Sequence, residues 1–93
     1  MAVGIVLDFE GATLDQYDEV VKKMGIGNGN LPPGGIFHWV TKTDNGFRVT
    51  DVWESQAQFE KFAEEQIGPL TAEVGITNPP SIAFYEVYNN LSK

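Results

Sequence analysis

Ile36–Ser55, reading IFHWVTKTDNGFRVTDVWES, is the stretch from which the architecture can be argued. It holds both tryptophans, the only histidine and the only arginine of the chain. Two runs rich in β-branched and aromatic residues flank Asp44-Asn45-Gly46, a turn signal, and a helix-start signal follows at Ser55. The stretch is therefore a β-hairpin feeding a helix.

Working outward, Ala2 to Phe9 alternates with Val3, Ile5, Leu7 and Phe9 on one face, the period of a strand. Glu10-Gly11 breaks it. Thr13 and Gln16 then form a capping box, in which hydroxyl and side-chain amide each satisfy a free backbone N–H of the first turn. Leu14, Tyr17, Val20, Val21 and Met24 follow at helical spacing, and Gly25 offers a left-handed stop, so the first helix spans about Leu14 to Met24. From Gly25 to Gly35, five glycines and two prolines exclude regular structure. These glycines follow a helix and precede a strand, the reverse of a phosphate-binding loop, so the segment reads as a surface connector or a lid over a pocket.

After the hairpin, Ser55 and Gln58 repeat the capping box. Phe59, Phe62, Ala63 and Ile67 make the buried stripe of a second helix, which Gly68-Pro69 is expected to end. Ser81 to Asn89, apolar and aromatic, is the last strand. The order is βαββαβ in a single domain over residues 1–93. Two strand–helix–strand halves with right-handed crossovers give an α+β, ferredoxin-like fold: a four-stranded antiparallel sheet in the order 4-1-3-2 with both helices on one face. The strands carry apolar residues on both faces, and a second copy, sheet to sheet, is the simplest cover for the open one.

Composition excludes several functions. Thirteen acidic against six basic residues give a formal charge of -7, which repels phosphate backbones and anionic membranes, so no nucleic acid or membrane partner is expected. Without cysteine there is no disulfide framework, thiolate nucleophile or zinc-thiolate site. No run approaches the roughly 20 apolar residues that span a bilayer, and the N-terminus lacks signal-peptide character; the expectation is a soluble, unprocessed, cytoplasmic protein. In a domain this small one core is marginal, which favours a homodimer.

The βαββαβ order, Val52-Trp53-Glu54-Ser55 followed by Gln58-Phe59, and Gly34-Gly35 before the hairpin resemble the dimeric α+β barrel proteins, and more narrowly the antibiotic-biosynthesis-monooxygenase-like domains. The resemblance covers nearly the whole chain. It implies a superfamily of mixed chemistry, including cofactor-free oxygenases, haem-degrading enzymes, isomerases and many members of no known activity; in the oxygenase branches an aromatic residue at the end of the third strand lines a cleft between sheet and helices, a position that Trp53 matches. The haem-degrading branch has an asparagine on the first strand and a histidine on the second helix. Here the first strand carries Ile5 and Leu7, and the second helix has no histidine.

The hairpin register decides which side chains share a face. With Asp44-Asn45-Gly46 as a three-residue loop and Gly46 left-handed, Trp39 opposes Asp51 and Phe37 opposes Trp53. This register is favoured, since it collects Phe37, Trp39, Phe47 and Trp53 under the helices and sends His38 to the dimer side. A two-residue Asn45-Gly46 turn instead brings His38 and Asp51 to the helix side.

His38 is the natural general base near neutrality, and its alternative reading is a strand histidine bonded to a neighbour such as Glu54. Asp51, in the middle of an apolar strand face, needs compensation from an indole of Trp39 or Trp53, from Tyr17 or from water in a cleft. The candidate catalytic residues are thus His38 and Asp51, and the candidate ligand-binding residues Trp53, Trp39, Tyr17, Phe59 and Phe62. No metal site and no cofactor are expected. The functional reading is a small apolar or aromatic ligand held between sheet and helices, with cofactor-independent monooxygenase-like or isomerase-like chemistry; the alternative is a non-catalytic structural or ligand-binding homodimer.

Overall fold

The computed structural model describes residues 2–26 and 31–91. Strand β1, Val3–Glu10, alternates buried and partly exposed residues along nearly its whole length, as its sequence pattern demands. Helix α1, Leu14–Met24, starts at Thr13, whose hydroxyl accepts from the Gln16 N–H at 3.1 Å while the Gln16 side chain accepts from the Thr13 N–H at 2.9 Å. Gly25 ends it at φ 75°. The hairpin strands are β2, Gly35–Thr43, and β3, Gly46–Trp53. Helix α2, Gln56–Phe62, passes through a π-helical turn, Ala63–Ile67, into α3, Gly68–Glu73, and β4, Ser81–Glu86, closes the chain.

All pairings are antiparallel, in the order β2-β3-β1-β4. This is the expected 4-1-3-2 sheet. Its inner face, formed by Val3, Ile5, Leu7, Phe9, Phe47, Val49 and Trp53, is packed against Phe59, with Tyr17, Phe62, Ala63 and Ile67 partly buried on it, so the helices cover one side only. No helix among the described residues is long and apolar enough to cross a membrane.

The turn differs from both expected registers. Asp44-Asn45 is the two-residue connection: Thr43 faces Gly46, Lys42 faces Phe47 and His38 faces Asp51. One residue of difference from the favoured register turns every β2 side chain over. Trp39 and Phe37, expected under the helices, therefore pair with Thr50 and Val52 on the outer face, where Trp39 is 48% exposed. His38, expected on the outer face, lies on the inner one.

Gly46 explains the discrepancy. It is not left-handed, because the glycines with positive φ are Gly11, Gly25, Gly34 and Gly75. Its missing side chain is required elsewhere: a Cβ there would collide with the carbonyl oxygen of Phe9 on the neighbouring strand. The glycine belongs to the sheet rather than to the turn, and the turn shifts by one residue to leave it there. The Gly11 N–H donating to the Asn45 carbonyl at 2.6 Å ties the shifted turn to the end of β1.

Gly68-Pro69 does not end the helical segment either. Proline lacks an N–H and clashes with the carbonyl four residues before it in a regular helix. The π turn widens the segment just ahead of Pro69, with the Gly68 N–H donating to Ala63, and Thr71 donates its hydroxyl to the Ile67 carbonyl at 2.6 Å. The second capping box forms by half: Ser55 accepts from the Gln58 N–H at 3.2 Å, but the Gln58 side chain takes the Ser55 hydroxyl rather than its N–H. Strand β4 stops at Glu86, three residues short of the expected end.

Gly46→Ala should cost about 3 kcal/mol or more, through overpacking against backbone that cannot move aside. Gly25→Ala, where no atom lies within 4 Å of the added Cβ, should cost only the left-handed backbone, about 1–2 kcal/mol. Thermal and urea melts of the two variants check the ranking, and equal losses would contradict the assigned role of Gly46.

Candidate functional site

Between the inner face of the sheet and α1, the π turn and α3 lies a cavity of about 80 Å³. It follows from the helix stripes. Of the α1 residues read as a buried stripe, only Val20 is buried, while Tyr17, Val21 and Met24, which border this space with it, stay partly exposed. Phe62 and Ile67 approach from the other helical segment, and Leu7, Val49 and Trp53 form part of the sheet-side wall. Ile26, Leu31 and Pro32 border it as well; the segment read as a connector or lid thus touches the cavity at its ends, while its middle, residues 27–30, lies outside the described residues.

One continuous polar chain is set into this apolar wall. His38 and Asp51 face each other across β2 and β3, with His38 Nδ1 2.6 Å from Asp51 Oδ1. Two positions further along β3, and hence on the same face, Trp53 donates its indole N–H to Asp51 Oδ2 at 3.2 Å. From α1, the Tyr17 hydroxyl lies 2.5 Å from His38 Nε2, its ring inclined 9° to the imidazole with centroids 5.9 Å apart. Phe47 meets the Tyr17 ring edge-on at 5.5 Å.

The protons follow from donor and acceptor chemistry. Asp51 is 6% exposed, and as a carboxylate it only accepts, so His38 Nδ1 carries the hydrogen that faces it. Desolvation raises the pKa of Tyr17 above the ordinary tyrosine value, and the charges of Asp51 and Asp18 add to the shift. The phenol is therefore neutral and able to donate, and when the imidazole is neutral its Nε2 is the acceptor. Among the described residues, no buried side-chain nitrogen or oxygen lacks a partner. The chain Tyr17–His38–Asp51–Trp53 thus holds the imidazole in one tautomer with its basic nitrogen at the cavity.

The candidate residues divide accordingly. His38, Asp51, Tyr17, Trp53 and Phe62 converge on the cavity. Phe59 does not: 1% exposed, it packs edge-on against Trp53 and Phe84 as core. Trp39 stands on the opposite face, displaced by the register. Glu54, named as an alternative partner of His38, instead accepts from the Gln58 side-chain amide at 3.5 Å. Thr71 was missed, and only the capacity of a hydroxyl to donate back into its own helix could have drawn attention to it. Among the described residues no three His, Asp or Glu side chains come together as a metal site would require.

The amino-acid sequence matches no protein-family model and no curated protein. Its fold is shared with solved structures at low identity. Rv0793 of Mycobacterium tuberculosis superposes with a TM-score of 0.68 at 15% identity, covering 99% of this chain and 100% of that one. SnoaB, a cofactor-independent oxygenase of Streptomyces nogalater, gives 0.61 at 14% identity over 99% and 97%. The ActVA-Orf6 monooxygenase of Streptomyces coelicolor, solved with nanaomycin D, gives 0.55 at 17% identity over 99% and 91%. The chain therefore shares its ferredoxin-like α+β fold with these solved structures, two of them monooxygenase or oxygenase structures.

Proposed function

We propose that the cavity binds a small, largely apolar or aromatic molecule and that His38, held by Asp51, takes a proton from it. The observation that carries this reading is the Tyr17–His38–Asp51–Trp53 chain set into an otherwise apolar wall. Nε2 accepts a proton from an O–H or C–H of the ligand, whose bonding pair stays behind and spreads over the ring or enol. The charge gained by the imidazole is offset by the carboxylate already bonded to Nδ1. The anion either takes a proton back at another atom, an isomerisation, or reacts with dioxygen as co-reactant. SnoaB performs oxygenation without a cofactor on the same fold, which supports the second branch.

A non-catalytic binding protein is the second reading. The full satisfaction of the buried polar groups favours it, since every member of the chain has a structural partner.

The outer sheet face belongs to the same proposal as the contact of a homodimer. Trp39, Phe37 and Tyr85 are exposed on it, and the Asp8 and Arg48 charges there neutralise each other at 2.6 Å, so the face is apolar without net repulsion. Sedimentation at micromolar concentration should give a dimer, and Trp39→Glu a monomer that melts at a lower temperature, since association no longer stabilises the folded chain. A monomeric wild-type protein contradicts the assignment.

Asp51→Asn tests the chemistry. An amide has one acceptor and one donor end, so it cannot accept from both the Trp53 N–H and the Nδ1–H; accepting from Trp53, it donates to Nδ1 and moves the hydrogen to Nε2. Deuterium uptake from heavy water by a panel of phenols and enolisable ketones should then fall by about 10²-fold or more, as it should in His38→Gln. Uptake unchanged by both substitutions would leave the binding reading.

Tyr17 carries a pH dependence. Its pKa is raised in the folded protein, so its contribution to stability is complete below the ordinary tyrosine value of about 10 and is lost as pH rises through the folded value. Phenolate absorbance should contain a phase above the ordinary value that disappears in Tyr17→Phe. If the phase lost lies at or below that value, the desolvated donor is ruled out.

A further inference from the structure

His38 Nε2, the atom through which the cavity would accept a proton, is already occupied by the Tyr17 hydroxyl at 2.5 Å. The occupant is a phenol. Its ring lies nearly parallel to the imidazole, its edge is met by Phe47, and its hydroxyl supplies the donor that Nε2 requires. The open cavity beside it, about 80 Å³, is smaller than the roughly 150 Å³ of an apolar cavity that takes up benzene. An aromatic ligand and the Tyr17 ring compete for the same space and the same acceptor.

We propose that Tyr17 is a built-in occupant of the ligand position, an autoinhibitory contact that a ligand displaces, and that the ligand is a neutral, flat, largely apolar molecule carrying one hydrogen-bond donor. This rests on the binding part of the reading above and adds to it the gate and the polarity of the ligand.

The inventory of polar atoms sets that polarity. Asp51 is committed through both oxygens, to His38 and Trp53, and the Thr71 hydroxyl is committed to the Ile67 carbonyl. Once Tyr17 leaves, Nε2 is the acceptor it sets free, and Thr71 Oγ1, its hydrogen already donated, can likewise only accept. An anion would meet the Asp51 carboxylate behind the imidazole in a chain of net charge -7. A cation would find both carboxylate oxygens taken. The gate can move because α1 is lightly anchored, with Val20 as its one fully buried residue, and Tyr17 itself is half-buried, so its hydroxyl passes into water without being stranded.

Phenol and toluene, matched in shape and differing in the donor, test the proposal. Their dissociation constants are measured by titration of amide NMR shifts in wild type, Tyr17→Phe and Tyr17→Phe/His38→Gln. In the wild type phenol should bind about five- to tenfold more tightly than toluene, the worth of one net hydrogen bond, because both probes must displace Tyr17 and only phenol replaces its bond to Nε2. In Tyr17→Phe, where the ring is kept and its bond to Nε2 is gone, both probes should bind about five- to tenfold more tightly than in the wild type, the worth of that hydrogen bond, with the preference for phenol retained. Removing His38 in that background should erase the preference. Affinities unchanged by Tyr17→Phe would mean that Tyr17 only fills space, and absence of phenol binding to Tyr17→Phe would mean that the position does not accept a ligand; either overturns the gate. Deuterium uptake that depends on Asp51 in the wild type would survive both results, so the two failures are distinguishable.

Discussion

A carboxylate buried in the middle of an apolar sheet face is the constraint on which the site depends. Burying Asp51 without partners would cost several kcal/mol, and a domain of this size has little stability to spare. Two donors on the same face compensate it, one from its own strand and one from across the hairpin. The second is possible only because β2 and β3 pair with His38 opposite Asp51. Register, burial and tautomer are therefore one problem: a slip of a single residue would remove the imidazole from the inner face and leave the carboxylate with Trp53 alone.

That register is set at the far end of the hairpin. Gly46 must lie where β3 passes closest to the Phe9 carbonyl, and the two-residue turn at Asp44-Asn45 follows from keeping it there. At the other end of the segment that follows β3, Pro69 has a comparable role. The π turn that accommodates it carries Ile67 to the cavity and extends the helical segment to Glu73, so that α3 helps to enclose a space which a helix ending at Gly68 would leave open. Two local backbone demands, a close approach and a missing N–H, thus shape the cavity more than any contact within it does.

The strands, both helix starts and the sheet order were legible because each rests on local pattern: the two-residue alternation of Val3 to Phe9, the Thr13–Gln16 box, the Gly25 stop. Asp51 stood out for the same reason, a charge where the alternation called for an apolar residue. The face of His38 was not legible. It depends on whether Gly46 serves the turn or the neighbouring strand, and Phe9, the residue that decides, lies far away in sequence. Trp39 was misplaced by the same ambiguity. Pro69 was misread as a stop because a π turn needs no residue of its own to announce it. The Tyr17–His38 contact joins a helix to a strand across the cavity, a distance that no spacing rule measures.

The proposed chemistry of the site depends on one proton. His38 is the only histidine, so its ring nitrogens can be read without assignment ambiguity by long-range ¹H–¹⁵N correlation in mildly alkaline solution. A neutral imidazole with its hydrogen on Nδ1 is expected in the wild type, and transfer of that hydrogen to Nε2 in Asp51→Asn. A wild-type ring carrying its hydrogen on Nε2, or one unaffected by the substitution, would contradict that chemistry.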